Sequence, residues 1–211
     1  MRVISNFILQ YTNSNFASLS SSPFDLVITE GAPLPRAGSA PQISDSQVQS
    51  LQAQGRTVVG YINAAVTDTF RSYWNTAWTV NGDDRGALTA NAPAWLQNGV
   101  PNAFGRIVDI ADAAWQLIVI NQAKDLVSRG YSGVFIDDVA AYFALGQPGG
   151  EAAIRARATQ MANLVARVAA EIRAINPDAY VVVNSNPFLP GDVTLDANVP
   201  VLPAEMNVFA Y

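Results

Sequence analysis

The chain has no cysteine and no histidine, and its single lysine is Lys124. These gaps remove whole classes of chemistry. Without thiols there is neither a disulfide framework nor a thiolate nucleophile. Without imidazole there is no Ser-His-Asp triad, no Cys-His dyad and no ordinary zinc site. Acid–base work must fall to Asp, Glu, Tyr or Lys124. An all-oxygen site for Ca²⁺ or Mg²⁺ stays open. Charge is scarce as well: Asp, Glu, Lys and Arg make up 14% of the 211 residues, with a net charge of −5. That balance offers no basic face for phosphate, so nucleic acid is not expected as a partner. No apolar run reaches the length of a membrane span, so no membrane insertion is expected. The opening "MRVISNFILQY" lacks a long apolar stretch with a small-residue cleavage site. It reads as a start Met and a first strand, in a cytoplasmic protein or in one whose signal has been removed.

What is present is a core. Half of the residues are hydrophobic, enough to build one domain over residues 1–211. Apolar, β-rich runs fall at 2–9, 24–30, 57–63, 105–112, 133–138, 179–186 and 199–205. Helical patterns fall at 44–55, with Ser44 as N-cap and Gly55 as stop, at 113–130, and at 150–177, closed by Asn-Pro. Strands that alternate with helices imply a parallel sheet. Continuous apolar strands imply that both faces are covered.

Two architectures compete. A doubly wound sheet needs a glycine-rich turn after its first strand, and "QYTNSNFASLS" contains no glycine. A (β/α)8 TIM barrel gathers polar residues at the C-terminal ends of its strands. Glu30, Asn63, Asp109, Asp112, Asp137, Asp138, Asn184, Asn186 and Glu205 all occupy such positions. The expected fold class is therefore α/β, a (β/α)8 barrel with seven strands in view and the eighth either beyond this chain or replaced by another closure.

The stretch "GVFIDD" runs an apolar strand straight into Asp137 and Asp138. An unpaired charge at the end of such a strand is costly, so Asp137 reads as a functional or networked group, while Asp138 reads equally well as a helix N-cap. Glu205 stands alone among apolar neighbours in "VLPAEMNVF". It is either functional or ion-paired with an arginine such as Arg71. Two carboxylates facing across a barrel mouth are the minimum for glycoside hydrolysis. Asp112 reads as the cap of the following helix, and Asp109 as cap or site in equal measure. The segment "FRSYWNTAW" is either a satellite core or a sugar platform, with Tyr61 and Trp74 as the candidate ring contacts.

The order of these motifs resembles the TIM-barrel domain of glycoside hydrolase family 114, the endo-α-1,4-polygalactosaminidases and their relatives. The resemblance rests on "FDLVITE", on Gly60, Tyr61, Arg71, Tyr73 and Trp74 in "VVGYINAAVTDTFRSYW", on Val108, Asp109 and Trp115, and on "GYSGVFIDDVAAY", "VVVNSNPFL" and "VPVLPAEMNVF". The chain departs from the family pattern at Ala65-Val66, Ala140 and Ser185. The resemblance implies catalytic carboxylates at Asp137, as nucleophile or base, and at Glu205, as acid/base. It implies substrate contacts from Tyr61, Asp109, Asn184, Trp74 and Asp138, with no metal and no cofactor. The implied partner is an amino-sugar polysaccharide met outside the cell or at its surface; oligomeric state is left open. Two rival readings accompany it. One is a non-catalytic carbohydrate-binding barrel, and the other a Ca²⁺-binding barrel built on Asp137, Asp138 and Asp109.

Overall fold

A computed structural model describes residues 4–10, 14–31, 43–103 and 105–184, together with the backbone of 207–209. Its elements run β1 (Phe7–Gln10), α1 (Phe16–Ser21), β2 (Leu26–Glu30), α2 (Asp45–Ala53), β3 (Thr57–Asn63), α3 (Ala94–Gln97), β4 (Val100–Asn102), β5 (Gly105–Ile107), α4 (Ala113–Ser128), β6 (Gly133–Asp137), α5 (Tyr142–Gly146), α6 (Gly150–Arg173), β7 (Tyr180–Asn184) and β8 (Asn207–Phe209). The helix ends follow local chemistry. Ser44 closes a capping box with Gln47 at the start of α2, Asp112 accepts the Ala114 N–H at the start of α4, and Gly55 takes a φ of 86° just past α2.

Six strands pair in the order β1-β2-β3-β6-β7-β8, every neighbour parallel. The order never reverses, so there is no switch point of the kind that defines a doubly wound sheet. Successive strands instead march round in one direction, as in a barrel.

The run at 105–112, expected as the fourth strand, does not enter this sheet. Its first residues form β5, which pairs antiparallel with β4. Ile107 also bridges back to Val66, and Val108 donates to the Ala65 carbonyl at 2.8 Å. The stretch is a ribbon laid on the chain as it leaves β3, and β3 pairs directly with β6. The strand that ends in Asp137 is therefore the fourth of the parallel sheet, not the fifth. The expected run 199–205 lies outside the described residues, and the last strand described is Asn207–Phe209.

Side chains alternate between faces along a strand, and this period divides the apolar residues into two sets. Leu26, Ile28, Val59, Tyr61, Phe135 and Val182 form one cluster, with Phe7 and Leu9 against it. Val27, Val58, Ile62, Val134, Ile136, Val181 and Val183 belong to the other, with Val119 and Leu126 of α4 and Leu164 and Val168 of α6. The first is the inner face of the curved sheet, and the second is the layer between sheet and helices. Both faces are buried, which is why the strands read as unbroken apolar runs.

Gly133 opens β6 at a φ of 154°, and a Cβ placed there would lie 2.0 Å from the Tyr180 carbonyl oxygen. Gly130, three residues earlier, has a φ of 98° but open space around it. Both substitutions to alanine carry the positive-φ penalty, of about 1 kcal/mol. Gly133→Ala must in addition push apart the β6–β7 pair. Thermal melting should show a small loss for Gly130→Ala and a much larger one for Gly133→Ala; equal losses would contradict the close approach.

Candidate active site

The inner-face parity carries through to the C-terminal ends of the strands. Glu30 follows Leu26 and Ile28, Asn63 follows Val59 and Tyr61, Asp137 follows Phe135, and Asn184 follows Val182, each two residues on. Registry puts these ends side by side: Glu30 pairs with Tyr61, and Asn63 with Asp137. The polar cluster at the mouth is thus a direct product of strand period and register.

Asp137 is its centre. Oδ2 accepts the Tyr61 hydroxyl at 2.6 Å. Oδ1 accepts the Asn184 side-chain amide at 2.8 Å and the Asp138 backbone N–H at 2.8 Å. Three donors, from β3, from β7 and from the turn that follows β6, fix both oxygens of one carboxylate, and charge-assisted bonds of this kind are the stronger sort. Burial first, then the adjacent Asp137 charge, pushes the Tyr61 hydroxyl well above the usual tyrosine range, so it stays a donor.

Asp138 plays a different part. It is the one non-glycine among the described residues with a positive φ, 56°. It heads a short 3-10 turn but makes no capping bond with its side chain, so the N-cap alternative does not hold. Its Oδ2 instead accepts the Asn63 amide at 2.6 Å. Asn63 cannot be turned round, because its Oδ1 accepts the backbone N–H groups of Ala65 and Val66 at 3.0 and 2.7 Å. Burial, then the Asp137 charge, pushes the Asp138 carboxyl up to about 6, with the Asn63 bond pulling the other way. A strained, partly protonated carboxyl beside a fixed carboxylate is the pattern of a working site.

Beneath this pair lies a buried ion pair. Arg71 grips Glu30 with both terminal nitrogens, at 2.6 and 2.7 Å, and both side chains are almost wholly buried. Arg71 also reaches Asp68 at 3.4 Å, and its guanidinium carbon sits 5.6 Å from the centre of the Tyr61 ring. Asp68 is pushed up by burial, against the pull of Arg71, and feels the Asp137 charge. Neither the Glu30 partnership nor Asp68 was evident from sequence: the ion pair spans 41 positions, and the sole hint was an acid three residues ahead of an arginine.

The other expected residues fall as follows. Asp109 accepts Arg157 of α6 at 2.5 Å and the Ala111 N–H at 3.2 Å, and no bond described here links it to Asp137. Trp74, expected as a sugar platform, is buried; it donates to the Gly82 carbonyl at 3.0 Å and packs edge-on to Trp78 with centres 5.4 Å apart. Its ring joins Tyr73, Trp95 and Trp115 in the same apolar cluster as the layer between sheet and helices, so the segment is core but not a separate satellite. Glu205 lies outside the described residues. The calcium alternative grouped Asp109 with Asp137 and Asp138, but Asp109 is tied to Arg157. Among the described residues no three acidic side chains are gathered closely enough to hold a metal ion.

The sequence profile of the glycoside-hydrolase family GH114 matches residues 36–187. The chain belongs to this family. The matched region contains Tyr61, Asp109, Asp137, Asp138 and Asn184, and ends before Glu205. An uncharacterised protein of Deinococcus radiodurans is 31% identical over 184 residues, 83% of this chain and 50% of its own length. One from Thermotoga maritima is 24% identical over 84% of this chain and 51% of its own. The chain thus spans about half the length of the curated relatives it matches. The glycoside hydrolase domain of PelA from Pseudomonas aeruginosa superposes with a TM-score of 0.56 at 20% identity, over 90% of this chain and 65% of that one. The fold is a TIM barrel, described here through six parallel strands.

Two outcomes test this geometry. Arg71→Met strips Glu30 of its bidentate partner in a buried site and should cost about 3–5 kcal/mol in denaturant unfolding. Adding Glu30→Gln should recover more than half of that loss, and strict additivity of the two would refute the coupling. The second concerns pH. An unfolded aspartate titrates near 3.9, whereas folded Asp138 does so at about 6. The folded chain therefore holds the extra proton between about pH 4 and 6, and Asp138 lowers stability progressively as pH rises through that window. Asp138→Asn should raise stability by about 1–2 kcal/mol at pH 7.5 and leave it little changed at pH 4. Equal shifts at both pH values would rule the titration out.

Proposed function

We propose that the protein is a glycoside hydrolase that cleaves an α-linked, galactosamine-containing polysaccharide. Asp137 carries the reading: one carboxylate at the barrel mouth, clamped by Tyr61, Asn184 and the Asp138 N–H, beside a second acid pushed up to about 6. Membership of GH114 supplies the reaction class, and the resemblance to the polygalactosaminidases supplies the sugar.

Asp137 acts as nucleophile or base on the anomeric carbon, and Glu205, assigned by resemblance, protonates the leaving oxygen. A carboxyl separation of about 5 Å means a covalent glycosyl intermediate and retention, whereas about 6.5–9.5 Å leaves room for water and gives inversion. Tyr61 and Asn184 hold the reacting carboxylate, and Asp138 and Asp109 offer acceptors at the rim to sugar hydroxyls and amines. A partly deacetylated polymer is cationic, and an acidic mouth raises its local concentration. Residues 1–211 act in this reading as one barrel domain. A polymeric substrate places the reaction outside the cell or at its surface; among the described residues no helix is long and apolar enough to cross a membrane.

The test is release of new reducing ends from partly deacetylated, α-linked galactosamine polymer. Asp137→Asn and Glu205→Gln should each lower the rate by about 10³-fold without lowering the melting temperature. Retained hydrolysis in either variant sinks its assignment. Tight binding with no cleavage by the parent chain would favour the non-catalytic carbohydrate-binding reading.

A further inference from the structure

The loop after β3 is rich in aromatic side chains, and all but one of them pack inward. Tyr73, Trp74 and Trp78 join Trp95 and Trp115 in a chain of ring contacts, with centres 4.9 to 6.3 Å apart. Phe70 does not join them. It is 36% exposed, and its ring centre lies 4.8 Å from the guanidinium carbon of Arg71. That guanidinium also sits 5.6 Å from the centre of the Tyr61 ring. Glu30 holds it there through two short bonds, and the Tyr61 hydroxyl reaches Asp137 at 2.6 Å. The exposed phenyl group is therefore braced through one buried cation, one ring away from the tyrosine that clamps the reacting carboxylate.

We propose that Phe70 is the stacking platform for a pyranose ring next to the bond that Asp137 attacks. This deepens the hydrolase reading and rests on it. Three observations support it. The ring is fixed, because its neighbour Arg71 is buried and doubly bonded, so a ligand meets a platform with little freedom left to lose. A large apolar side chain left open, and linked through Arg71 and Tyr61 to Asp137, is a surface suited to a partly apolar ligand. It is also the aromatic residue of this loop that the buried aromatic cluster does not consume. The preferred ring is galacto-configured. Its axial O4 leaves the hydrogens on C3, C4 and C5 on one face, a continuous apolar patch that lies flat on a phenyl ring. The gluco epimer places O4 equatorially and has no such patch.

The experiment is isothermal titration calorimetry in an Asp137→Asn background, which silences cleavage. The ligands are α-1,4-linked galactosamine oligomers and glucosamine oligomers of equal length. Phe70→Ala should weaken binding of the galactosamine oligomer by about tenfold. Phe70→Leu, which keeps apolar bulk without a flat face, should weaken it similarly, and Phe70→Trp should restore it. The galacto-over-gluco preference should shrink in the Ala and Leu variants. Melting temperature checks that each variant is folded, and Phe70→Leu serves if the alanine variant is not. Affinity within about twofold of the parent in folded Phe70→Leu, with an unchanged galacto preference, overturns the proposal and leaves the hydrolase reading standing. Failure of the parent background to bind either oligomer overturns the amino-sugar reading and this platform with it.

Discussion

The two-residue period of a β-strand is the constraint on which the rest of this molecule depends. In β2, β3, β6 and β7 the inner-face run ends in a polar residue of the same parity, so the side chains that fill the barrel and those that form its mouth are set by one rule. A slip of one residue in β6 would swap Phe135 for Ile136 inside and aim Asp137 at the helices. Registry between neighbours then places Tyr61 and Asn184 on either side of Asp137. Core packing and site geometry are the same arrangement seen at two heights in the sheet.

The buried Glu30–Arg71 pair is harder to justify by stability alone. Desolvating two charges costs several kcal/mol each, and apolar replacements of equal size often do as well or better. What the pair provides is direction. A guanidinium with both terminal nitrogens committed cannot wander, and two rings, Tyr61 and Phe70, lie against it. The buried aromatic cluster acts on a larger scale in the same sense. Trp115 of α4 donates to the Ala64 carbonyl at 2.7 Å, and Trp95, Trp78 and Tyr73 extend from it. That packing ties the segment that follows β3 to α4.

Much of this was legible in the sequence. Strands β2, β3, β6 and β7 and helices α2, α4 and α6 fall where apolar runs, caps and stops put them, and the polar strand ends predicted a mouth. The misreadings have physical causes. "GRIVDIAD" has the composition of a strand, but composition does not say which partner a strand takes; Val66 and β4 claimed it. Trp74 carries a flat face suited to a sugar, yet the indole N–H found Gly82 and the ring found Trp78. The Asp109–Arg157 pair was unseen and not misread: its members are 48 positions apart, beyond the reach of any local pattern. Asp138 looked like a cap because an acid after a strand often is one. Only the left-handed backbone turn shows that its carboxylate faces Asn63.

Asp137 is gripped from both sides, by β3 through Tyr61 and by β7 through Asn184, while its own strand lies between them. It works as a rivet through three staves. Loosening any stave changes the direction in which the carboxylate points before it changes whether the sheet is folded. The site therefore behaves as a strain gauge for this side of the barrel, and loss of the carboxylate's alignment should precede loss of structure as the protein is warmed.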